Sequence, residues 1–86
     1  MKTKPTITYH AIFRFCERIM HLKPPFNTWE VYLAKLLIQE EIDMIDFPPE
    51  FNEYEIRMKA HKNKFVVRNG KIITIKHITK QTRRSR

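Results

Sequence analysis

The chain reads as an α+β domain in which a helical hairpin packs on one face of a three-stranded antiparallel β-meander. Three observations predict it. Apolar residues recur at intervals of three and four over residues 9–22 and 27–45, then at intervals of two from residue 53. An Asn-Gly pair at 69–70 separates two runs rich in β-branched residues, the pattern of a tight hairpin whose two central positions need positive φ.

The first helix is expected over residues 9–22, with Thr8 as its N-cap and Ile12, Phe15, Cys16, Ile19 and Leu22 as its apolar stripe. His10, Arg14, Glu17, Arg18 and His21 share the opposite face, and Pro24-Pro25 stops the helix. The second starts at Asn27, which stands in a capping-box relation to Glu30, and runs toward Ile45 before Phe47-Pro48-Pro49. Its apolar arc includes Val31, Leu33, Ala34, Leu36, Leu37, Ile38 and Ile42, wide enough to predict the central helix of the core.

The first strand alternates Tyr54, Ile56, Met58 and Ala60 with Glu53, Glu55, Arg57 and Lys59. After the connector His61-Lys62-Asn63, a two-residue turn at 69–70 pairs Arg68 with Lys71, Val67 with Ile72, Val66 with Ile73 and Phe65 with Thr74. That register places Phe65, Val67, Ile72, Thr74, Lys76 and Ile78 under the helices. It leaves Lys64, Val66, Arg68, Lys71, Ile73, Ile75 and His77 on an open, basic face with Arg57 and Lys59. Residues 1–79 form the expected domain, and 80–86, with Arg83 and Arg84, are an expected disordered basic arm.

Eighty-six residues suffice for one modest core. A single cysteine, Cys16, makes no internal disulfide and fits a reducing cytoplasm. No run approaches the roughly 20 apolar residues of a membrane span, and the opening Met-Lys-Thr-Lys-Pro lacks the apolar segment of a signal peptide, so a cytoplasmic location is expected. The formal net charge of +8 is unevenly spread: +4 over residues 1–29, −7 over 30–55 and +11 over 56–86. Such a distribution implies separate partners for the acidic middle, with Glu40, Glu41 and Asp43, and for the basic C-terminal third.

Gly70 is the only glycine, which excludes Gly-rich phosphate cradles and the nucleotide enzymes built on them. No two histidines stand three or four apart on a helix, so no metal site and no cofactor are expected. Cys16 lies on an apolar stripe and reads as packing rather than nucleophile. What remains is His and Arg chemistry. Metal-independent RNA cleavage moves the 2′-hydroxyl proton, protonates the leaving oxygen and stabilises the phosphorane, work suited to His and Arg. The candidates are His10, Arg14 and Arg18 on the first helix and Arg57, Arg68 and His77 on the sheet.

The run Ile7-Thr8-Tyr9-His10-Ala11-Ile12-Phe13-Arg14-Phe15-Cys16-Glu17-Arg18 resembles the I-T-x-H-A-x-x-R-x-x-E-R opening of small phage and mobile-element proteins distantly similar to BrnT and RelE-type toxins. Phe65-Val66-Val67-Arg68-Asn69-Gly70-Lys71-Ile72-Ile73-Thr74-Ile75 resembles their closing hairpin. The resemblance implies helices on one side of an antiparallel sheet whose other side meets RNA. It aligns His10, Arg14 and Arg18 with the motif positions and Thr74 with the hairpin threonine.

Three functions are open on this reading. One is a phage-encoded or mobile-element interaction protein that binds and inhibits or modulates a host protein or nucleic-acid machine. Another is a metal-independent ribonuclease toxin, and the third a non-catalytic RNA- or DNA-binding accessory protein. The first is preferred, because the sequence displays a two-signed, partly apolar surface and no defined catalytic cluster. Val66, Ile73 and Ile75 on the open face would also serve a homodimer.

Overall fold

Thr8 holds the architecture together at its first joint. Its hydroxyl accepts a hydrogen bond from the Ala11 N–H, capping α1 (Tyr9–Arg18), and donates one of 2.7 Å to the Ile72 carbonyl of the last strand. The computed structural model describes residues 4–48 and 52–78. Around that joint it places β1 (Thr6–Ile7), α2 (Thr28–Met44), β2 (Glu53–Arg57), β3 (Asn63–Arg68) and β4 (Lys71–His77). The α+β class is as expected; the sheet is larger than the meander. Its order is β1-β4-β3-β2, with β1 parallel to β4 through the Thr6–Lys71 and Ile7–Ile72 pairs. A two-residue strand displays no period of its own. It forms because the extended N-cap leads the chain back along β4, where Thr6 and Thr8 donate to the Gly70 and Ile72 carbonyls.

α1 ends at Arg18, earlier than the expected Leu22. His21 takes a left-handed φ of 58°, which lets the Leu22 N–H reach the Cys16 carbonyl at 2.9 Å. The Pro24-Pro25 bond that follows is cis. α2 has the expected capping box: Asn27 accepts from the Glu30 N–H, and the Glu30 carboxylate accepts from the Asn27 N–H.

The central helix is α1, a correction to the expectation for α2. α1 packs on both β4 and α2 and buries Ala11, Ile12, Phe15 and Cys16 completely or nearly so. α2 fully buries only Ala34, Ile38, Glu41 and Ile42, with Val31 and Leu37 half-buried beside them, because the sheet face is already occupied by α1. Lys4 reaches across to the Ile42 carbonyl at 3.0 Å, supplying the cation that the last turn of α2 lacks.

The hairpin turn is as predicted, with φ of 53° at Asn69 and 76° at Gly70, and it pairs Arg68 with Lys71 and Val67 with Ile72. The register then shifts. Ile73 is an extra residue in β4, and pairing resumes as Val66 with Thr74, Phe65 with Ile75 and Asn63 with His77. This β-bulge inverts the faces expected for residues 74–77. Ile75 is fully buried beside Phe65 instead of lying on the open face, and Lys76 is turned outward instead of lying under the helices. An unbulged strand would leave Ile75 in water and a lysine in the core; burying one isoleucine contributes about 1.5–3 kcal/mol. The core thus joins Phe65, Val67, Ile72 and Ile75 to the buried faces of α1 and α2, with Ile45, Phe47 and Met58 closing one end.

Candidate functional site

At 100° per residue, the residues of α2 divide into two opposed stripes. Ala34, Ile38, Glu41 and Ile42 point inward, while Trp29, Tyr32, Leu36, Glu40 and Asp43 lie on the far side. The outer stripe is apolar in its first half and acidic in its second. Trp29 is 63% exposed, Tyr32 58% and Leu36 47%, and Met44 at the stripe's border is 52% exposed. Sixteen residues of helix carry this stripe over about 24 Å. Gln39 donates to Asp43 at 3.2 Å, steadying that carboxylate on the surface. Next to the helix start, Tyr9 and Phe13, both exposed, continue the aromatic surface, with Phe13 and Phe26 at a ring separation of 5.6 Å.

Of the three acids expected to face a partner, Glu40 and Asp43 are exposed and Glu41 is not. Glu41 is turned inward, and its two carboxylate oxygens accept from the Lys59 and Ala60 N–H groups at 2.7 and 2.9 Å. Those successive N–H groups form an anion-binding turn that ties the connector after β2 to α2. The role of Glu41 is structural. Nothing in the local pattern signals it, because the partners are backbone groups 18 and 19 residues away.

The open face of the sheet is charged in rows. Glu53, Arg68 and Lys71 form one, Glu55, Val66 and Thr74 the next, and Arg57, Lys64 and Lys76 the third. Glu55 accepts from Lys64 at 2.7 Å and Lys76 at 3.0 Å, which holds its carboxyl below the usual carboxylate range. Glu53 pairs with Arg68 at 3.3 Å. The face is therefore basic by excess and not by exclusion: among the described residues, no carboxylate pairs with Arg57 or Lys71. Lys59 lies beyond the end of β2, beside the Glu41 carboxylate. Val66 is buried in the middle of this face, and Ile73 is half-buried at the bulge. Arg83 and Arg84 lie outside the described residues.

The catalytic candidates do not form one cluster, although His10 and Arg14 touch. His10 sits in the first turn of α1 and accepts from Arg14, whose guanidinium also pairs with Glu17 at 2.8 Å. Arg18 donates to the Ile75 carbonyl at 2.9 Å, pinning α1 to β4. His77 is on the helix-covered side of β4 rather than the open face expected for it, and its Nδ1 meets the Asn63 side-chain amide at 3.2 Å. Thr8 ties the start of α1 to Ile72, five residues before His77 along β4. The Thr8, Ala11, Arg14 and Arg18 positions of the opening motif thus serve as cap, buried packing, ion pair and helix clamp.

Among the described residues no group of three or more His, Cys, Asp and Glu is placed to hold a metal ion, and no helix is long and apolar enough to cross a membrane. Comparisons with protein-family models, curated proteins and solved structures return no significant match to this chain.

Proposed function

We propose that this chain is a small interaction protein of the kind carried by phages and mobile elements, and that it modulates another protein by docking it on the outer stripe of α2. The observation that carries the reading is the exposure of Trp29, Tyr32 and Leu36 in line with Glu40 and Asp43. A helix whose apolar residues run all the way round is normally buried on all sides, and this one is covered on one stripe only. Tryptophan and tyrosine are the residue types that carry most energy at protein interfaces. The two acids beyond them select a partner segment that is apolar at one end and basic at the other.

A second reading, nucleic-acid binding on the open sheet face, rests on the excess of Arg57 and Lys71 over the acids there. A third reading, a metal-independent ribonuclease with His10 or His77 as acid or base, is given less weight, because Arg14 and Arg18 are engaged by Glu17 and the Ile75 carbonyl.

The test compares three forms of the tagged chain in a lysate of a bacterial host: native, Trp29→Asp with Tyr32→Asp, and Arg57→Glu with Lys71→Glu. A protein held by the native chain and the sheet variant but released by the helix variant is the expected result. Retention of nucleic acid that only the sheet variant loses would replace the proposal with the second reading. A metal-free incubation with total RNA runs beside it, and cleavage lost on His10→Ala with His77→Ala would refute both.

A further inference from the structure

The outer edge of β2 has no partner strand among the described residues, and its five residues are complementary to themselves. Two backbone bonds fix which groups look outward. The Met58 N–H donates to the Asn63 carbonyl at 2.9 Å and the Asn69 N–H to the Asn52 carbonyl at 2.7 Å, so residues 52, 54, 56 and 58 bond toward β3. Glu53, Glu55 and Arg57 therefore direct both N–H and C=O away from the sheet, as alternate residues of an antiparallel strand must.

We propose that β2 is a homodimerisation edge, in which two copies of Glu53–Arg57 pair antiparallel about Glu55 and join two four-stranded sheets into one. The parity is right for it. The pairs Glu53 with Arg57, Glu55 with Glu55 and Arg57 with Glu53 across the axis are all between outward-bonding residues, and together exchange about six hydrogen bonds. The charges are right as well. Arg57, which has no carboxylate partner among the described residues, meets Glu53 of the second copy, and this occurs twice by symmetry. The one like-charged pair, Glu55 with itself, is already held by Lys64 and Lys76 in each copy, so four ammonium groups surround two carboxylates. On the covered face, half-buried Tyr54 and Ile56 of one copy stand opposite Ile56 and Tyr54 of the other, adding apolar contact to the strand pair.

A five-residue strand pair falls short of the roughly 800 Å² per partner of a standard stable interface, so a concentration-dependent equilibrium is expected, with half-dissociation at about micromolar chain. A two-fold axis perpendicular to the sheet puts both helical layers on the same side, and the dimer would display two α2 stripes together. This dimer differs from one seeded by Val66, Ile73 and Ile75, since Ile75 is in the core. It does not depend on what α2 binds.

Sedimentation equilibrium over about 0.1–100 µM reads the association, with Glu53→Arg and Arg57→Glu chains run singly and mixed. Both changed positions are solvent-facing, and circular dichroism checks that each variant keeps its fold. Each variant alone places like charges opposite one another twice and is expected to weaken dimerisation about tenfold or more. Mixing the two restores opposite charges at both places, so heterodimers form at native strength. A native chain that stays monomeric throughout overturns the proposal. So does a dimer indifferent to both variants, or a mixture in which neither chain is rescued.

Discussion

Replacement of Glu41 by alanine tests whether the acids of α2 are one surface or two structural roles. The carboxylate is 2% exposed and accepts two backbone N–H groups at 2.7 and 2.9 Å, one on each oxygen. Hydrogen bonds to a charged group contribute about 1.5–3 kcal/mol each. Lys59 and Ala60 are exposed, so water can replace part of what their N–H groups lose, and the lower end of that range applies. The expected loss is about 2–3 kcal/mol for Glu41→Ala, or a melting temperature lower by about 10–20 °C in a domain of this size. Glu41→Gln keeps one acceptor and turns an N–H donor toward the other N–H, so it should fall between native and Ala. Glu40→Ala, one residue away on the exposed stripe, should change stability by less than about 0.5 kcal/mol. Urea unfolding followed by circular dichroism reads all three, with the m-value checked for constancy. Equal midpoints for Glu40→Ala and Glu41→Ala would refute the reasoning, because the two bonds to Glu41 would then contribute nothing.

Two further outcomes follow from groups whose ionisation the fold perturbs. Hydrogen bonds from Lys64 and Lys76 lower the Glu55 carboxyl, so its contribution to stability is present above the ordinary carboxylate range and is lost as pH falls through the depressed folded value. Urea midpoints measured from pH 7 downward should therefore fall more for the native chain than for Glu55→Gln, and parallel curves would disprove the pairing. Burial, with the charges of Glu30 and Glu17 adding to it, pushes the Cys16 thiol up, so the folded protein should resist a thiol reagent at neutral pH that labels the urea-unfolded chain rapidly. Equal labelling rates would show that Cys16 is not where the packing of α1 places it.

The candidate surface was half legible in the sequence. Glu40 and Asp43 read correctly as exposed on one side of the helix, because their spacing from one another puts them on one side of any helix. Leu36 belongs by periodicity to the arc expected for the core yet is exposed, since periodicity reports which residues share a face but not whether a neighbour covers it. On the sheet, Arg57, Lys64, Arg68 and Lys71 were placed on the open face correctly, ahead of the bulge or on the strand facing it. His77 and Ile75 were not, because they follow Ile73, and one inserted residue flips every side chain after it.

What the sequence determined by itself is what short-range physics determines: the Thr8 and Asn27 caps, the two helices, the Asn69-Gly70 turn and the α+β class. Each depends on groups within four residues of one another or on a period repeated over a whole element. The tertiary structure alone decided the parallel β1–β4 pairing, the bulge at Ile73, the inward turn of Glu41 and the choice of α1 over α2 as the central helix. Those depend on which of several apolar surfaces wins one shared core and on backbone groups far along the chain that need a partner once buried. Neither condition is written in the spacing of residues along any one segment.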